Sequence, residues 1–130
     1  MHTQEQLQEM HSEHAEWQNK IRFYRSEISR LNRQLDEVVL SKPPQELMAT
    51  IEHFQNQFTV QSEVLDIMRH DFKQHENDIE AGQSNSLKPD VQLDDNHQTH
   101  VERLDQFEKI FREIREEFSS FLQREFAKQF

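Results

Sequence analysis

The sequence contains no cysteine, one glycine and three prolines. Without cysteine there is no disulfide framework, no thiolate metal site and no cysteine nucleophile, a composition that suits a reducing cytosol. A single glycine excludes a glycine-rich loop that cradles phosphates. The longest apolar runs are three residues, as at 38–40, too short for a membrane span or the core of a signal peptide. Basic charge is also in short supply: 15 Lys and Arg face 25 Asp and Glu, a net charge of −10. Phosphate backbones and anionic lipid surfaces would be repelled. These absences predict a soluble, cytoplasmic protein with neither nucleic acid nor membrane as its partner.

What remains is rich in Leu, Glu, Gln, Arg and Phe, with few residues that interrupt a helix. The 130 residues suffice for one domain, spanning 1–130, with a single core. Two breaks divide the chain. At 41–44, "SKPP" lets Pro44 open a helix, because the N–H that proline lacks would be unpaired there anyway. At 81–90, "AGQSNSLKPD" offers Gly82 as a left-handed stop and Asp90 as an acidic restart.

Each of the three segments repeats apolar residues on a 3,4 spacing, the signature of a helix with one buried face. In the first, the seam runs from Leu7 through Trp17, Ile21, Ile28 and Leu35 to Val38, interrupted only by His14. In the second it runs from Leu47 to Ile79, with Gln61 and His75 as exceptions, and in the third from Leu93 to position 125, with His97, His100 and Glu125. Phe23, Val60, Val64, Ile67, Ile110 and Leu122 widen the stripes, as expected where a helix touches two others. The predicted fold class is all-α: an up-down-up antiparallel bundle of three long helices at about 4–40, 44–82 and 90–128. An extended coiled coil completed by other chains is the alternative.

Folding back at the two breaks fixes the heights of the exceptions. With turns centred near 42.5 and 86.5, position i of the first helix is level with about 85 − i of the second, and position j of the third with about 173 − j. His14, His75, His97 and His100 then share one layer of the core, to within about four residues or 6 Å. Gln61 and Glu125 lie elsewhere. Imidazole is a good ligand for zinc or iron, and the pair His97 and His100 projects both rings from one helical face. His14, His75, His97 and His100 are therefore the candidate metal ligands, with His11 and His70 as substitutes if the register shifts. Glu13, Asp71, Glu76 and Asp94 are nearby carboxylates that could orient the rings.

The same layer has two other readings. Buried polar groups can fix the register of a bundle without binding anything, as in a protein-interaction or assembly module. Buried neutral imidazoles can also act as a pH switch. The H-x4-H spacing of His70 and His75, and the H-x4-D spacing of His100 and Asp105, resemble fragments of haemerythrin-type and di-iron carboxylate bundles. Those families use four helices and seam Glu-x-x-His pairs, which this layer lacks, so the resemblance carries no function over.

Met10 and Met68 lie near the layer but read as packing, and no haem-attachment motif occurs. Ser12, Ser26 and Thr99 have no nucleophile-base-orienter set to join, so catalysis is not expected. Trp17, one seam step from His14, reads as core and is also placed to wall the layer from the drier part of the bundle. In "EHFQNQF" at 52–58, Phe54 and Phe58 belong to the seam while His53 and Asn56 point outward. The Phe-rich third segment ends in Phe126 and Phe130, which would mark a homodimer or partner contact if they stay exposed.

Overall fold

The computed structural model describes residues 3–85 and 90–127, without the side chains of 81–96. It is an all-α bundle of three helices: α1 (Gln4–Leu40), α2 (Met48–Asn85) and α3 (Asp90–Phe126). At 1.5 Å per residue each is about 56 Å long. No helix among the described residues is long and apolar enough to cross a membrane.

Helix α1 starts at a capping box. Gln6 N donates to Thr3 Oγ1 (3.1 Å) and Thr3 N donates to Gln6 Oε1 (2.9 Å). Two otherwise orphaned N–H groups are thereby satisfied. The helix stops at Ser41, whose hydroxyl donates to Val38 O at 2.6 Å. Lys42 then adopts the left-handed region (φ 54°) and its N–H donates to Val39 O, a closing position usually held by glycine.

After Pro43 and Pro44 comes a short 3-10 turn, Gln45–Leu47, so α2 begins at Met48 rather than at 44. This lengthening moves the α1–α2 alignment. His14 faces His75 and Trp17 faces Phe72, each four residues further along α2 than a turn centred near 42.5 places them. The α2–α3 alignment matches expectation, as Phe54 against Phe118 and Phe72 against His100 show. Gly82 does not end α2, which continues to Asn85. The third helix ends at Phe126, and position 128 lies outside the described residues.

The seam residues form one continuous core. Leu35, Val38, Ile51, Leu65, Phe72 and Phe118 are among the side chains almost wholly removed from water. At the end near the first turn, Phe54, Phe58, Phe118 and Phe121 meet at centroid separations of 5.1–6.4 Å, several of them edge to face. Such rings combine large apolar area with favourable quadrupole geometry. Midway, Tyr24 packs against Phe107 and Phe111 and donates its hydroxyl to Glu108 Oε2 at 2.7 Å. Lys20 donates to the other oxygen of Glu108 at 3.0 Å, which ties α1 to α3.

Three expectations about the edges of this core need correction. Phe23, Val60 and Ile67 are at least half exposed and do not widen the buried stripes, whereas Val64 and Ile110 pack partly and Leu122 fully. Glu125 is exposed, and Phe126 takes its place in the core against Phe121 at 5.6 Å. Phe126 is thus a core residue, which withdraws the observation that would have made it a partner contact; Phe130 lies outside the described residues.

Candidate metal centre

The four histidine exceptions of the three seams converge at the end of the bundle that carries the N-terminus. His14 and His75 are 1% and 2% exposed, His100 is 8% exposed and the His97 side chain 15%. Their ring centroids lie 5.0 Å (His14–His75), 5.7 Å (His14–His97), 5.7 Å (His75–His97) and 5.1 Å (His75–His100) apart. Each of the four occupies an apolar seam position of its helix, so the packing that buries Ile21 or Phe72 buries it too. Trp17 closes the layer on the core side, 4.8 Å from His14, 4.9 Å from His97 and 4.8 Å from Phe72. It is the wall that its seam position predicts.

One nitrogen each from His14, His75 and His97 lie within 4.8 Å of one another, one residue from each helix. Donors around a tetrahedral zinc with bonds of about 2.05 Å are about 3.3 Å apart, so small ring rotations would close the set. His75 Nδ1 and His14 Nε2 are already 3.0 Å apart, sharing one hydrogen bond. His97 Nε2 lies 2.5 Å from Glu13 Oε2. A carboxylate only accepts, so His97 donates to it from Nε2, and Nδ1 is the nitrogen left for another partner. That Nδ1 is buried without a hydrogen-bond partner, as are His14 Nδ1 and His100 Nδ1. Buried polar atoms are rarely left so, and a missing ion or water is a standard reason. A carboxylate holding the far nitrogen of a ligand imidazole is also the usual support for a metal-bound histidine.

Electrostatics hold His14 and His100 in the neutral form that a metal needs. Burial, reinforced by His75, His97, His11 and His100, brings the pKa of His14 down to about 3. Burial, then His75 and the Arg103 guanidinium, brings His100 down to about 4, against a smaller upward pull from Asp71. Both are neutral at pH 7 and can donate a lone pair.

The other predicted participants are distributed differently. His100 belongs to the layer but not to the close trio; it packs on Phe72 at 5.0 Å, and the Arg103–Asp71 ion pair (2.8 Å) flanks it. His11 is half-buried at the edge, with Nδ1 3.6 Å from Glu76 Oε1. His70 is exposed on the outer face of α2 and is not brought to the layer. Of the nearby carboxylates, Glu13 meets His97, Glu76 meets His11 and Asp71 meets Arg103; Asp94 lies outside the described side chains. Glu80, which joins His11 and Glu76 in a second donor group, was not anticipated. The i,i+4 spacing of Glu76 and Glu80 is the sequence signal that pairs them.

No family model, curated protein or solved structure matches the chain. The functional reading therefore depends on the geometry of the site.

Proposed function

We propose that this is a cytosolic metal-binding bundle in which His14, His75 and His97 hold a divalent transition metal, with His100 alongside. The observation that carries the reading is the meeting of three imidazoles from three helices, His14 and His75 buried and His97 half-buried, with donor atoms within 4.8 Å and Glu13 against Nε2 of His97. Three imidazole nitrogen donors with a fourth position left for water or a further ligand suit zinc foremost. Iron of the facial-triad type would take a carboxylate in place of one imidazole. The ion would pin the three helices together at the end furthest from the phenylalanine-rich core, and its binding energy would add to folding.

Metal analysis of protein purified without a histidine tag tests this, beside a His14→Leu/His97→Leu variant. About one equivalent of zinc in the parent and none in the variant is the expected result. A metal-free parent, with a variant more stable than the parent, would overturn it, because packed leucine often outperforms a buried polar group.

A second reading is favoured by the 3.0 Å hydrogen bond between His14 and His75, which satisfies one nitrogen of each ring without any ion. The layer would then be a polar register mark in an assembly module. Zinc would leave the melting temperature of such a protein unchanged.

A further inference from the structure

Next to the buried layer, on the edge of the α1–α2 contact, lies a second set of donors. His11, Glu76 and Glu80 offer one nitrogen and two carboxylate oxygens within 4.8 Å of one another. His11 and Glu76 are half-buried and Glu80 is exposed, so this set faces water. The helices tie it to the buried trio. His11 is one turn from His14 on α1, and Glu76 directly follows His75 on α2. The two sets share the same two helical turns.

We infer that His11, Glu76 and Glu80 form a second, solvent-facing divalent-metal site through which the ion reaches the buried histidines. The loading role rests on the reading of the buried layer as a metal site; the rim site itself does not. Like charges at i,i+4 on one helix repel weakly, and Glu76 and Glu80 are so spaced. A cation held by both, with His11 from the facing helix, offsets that repulsion. Octahedral ions place neighbouring donors about 3 Å apart, so side-chain rotation alone closes the set.

The donor types divide the work. Carboxylate oxygens bind a partly hydrated ion and leave positions for water, as the half-exposed setting permits. His14 and His75 are almost wholly removed from water and accept only an ion that has shed most of its own. A rim site that neutralises the ion and strips part of its shell lowers the cost of that transfer. The net charge of −10 concentrates cations near the surface.

Cobalt(II) titration of metal-free protein reads the two sites separately, since tetrahedral nitrogen coordination absorbs visible light strongly and oxygen-rich octahedral coordination weakly. The full chain should bind about two equivalents, one of each spectral type. Glu76→Gln/Glu80→Gln should lose the weakly absorbing equivalent, keep the strong band, and show that band forming at least about ten-fold more slowly in stopped flow. His11→Gln should do the same. His14→Leu/His97→Leu should lose the strong band and keep the weak equivalent. Unchanged stoichiometry and rate in the glutamine variants would overturn the inference while leaving the buried site standing. A single weak equivalent in the parent, lost in the glutamine variants, would uphold the rim site and overturn both its loading role and the buried-site reading.

Discussion

Acid should destabilise the metal-free protein in a window set by His14 and His100. Both rings are buried neutral, with pKa values near 3 and 4, whereas in the unfolded chain each returns to about 6.5. Between those values the unfolded state binds more protons than the folded state, so stability falls as pH falls. The contribution is fully present above about pH 7.5 and is lost progressively below 6.5, until the folded rings themselves protonate near 4 and 3. At pH 5 the folded rings remain neutral, and the loss follows from the unfolded chain alone. It amounts to 1.5 pH units at about 1.4 kcal/mol per unit, or about 2 kcal/mol for each ring and about 4 kcal/mol together. Both residues are more than nine-tenths buried, so little solvent screening reduces the figure.

Urea melts at pH 7.5 and pH 5 measure this, followed by the fluorescence of Trp17, the only tryptophan and in contact with the layer. With a slope of about 2 kcal/mol per molar urea, the midpoint should fall by about 2 M. Because other groups titrate as well, the decisive quantity is the difference from a His14→Leu/His100→Leu variant, whose midpoint should fall by about 2 M less than the parent's over this range. Equal falls in parent and variant would refute the argument that these two rings are buried neutral.

Two further outcomes follow from the packing. Phe118→Ala removes a fully buried ring that touches Phe54, Phe58 and Phe121, and should cost about 3–5 kcal/mol in a urea melt; a cost below about 1 kcal/mol would mean that the ring is not in the core. Tyr24, the only tyrosine, should ionise near pH 12 in an ultraviolet absorbance titration of the folded protein, raised by burial and then by its hydrogen bond to Glu108; a midpoint near 10 would place the hydroxyl in water.

The fold was legible because the seam of each helix is nearly unbroken, and because two turns fix which residues share a height. His75, His97 and His100 came out at one level from counting alone. His14 was placed four residues away from its partner on α2 because the 3-10 turn after Pro44 carries no signal that separates it from the first turn of an α-helix. At the other end, the seam slipped from Glu125 to Phe126. A strict 3,4 pattern drifts by about 20° per heptad against a straight helix, and five heptads accumulate enough to exchange neighbours. Gly82 looked like a stop, yet an isolated glycine costs a helix only about 1 kcal/mol, which continued packing of α2 can absorb.

Within the site, sequence reasoning named the layer but could not say which three rings meet most closely, since that depends on rotamers rather than periodicity. Glu13 is near the layer in sequence, but its grip on His97 Nε2, with the other nitrogen buried and unpaired, depends on side-chain rotamers that periodicity does not set. The rim set was hidden for a simpler reason. His11 was considered only as a substitute for a seam histidine, whereas its partners Glu76 and Glu80 lie on the facing helix.

Zinc-edge X-ray absorption on protein carrying one equivalent of zinc tests the central claim most directly. Three imidazole nitrogens at about 2.0–2.1 Å, falling to fewer when His97 is replaced by leucine, is the predicted shell. A first shell of oxygen alone, unchanged by that replacement, would contradict the claim that the three helices meet on a metal.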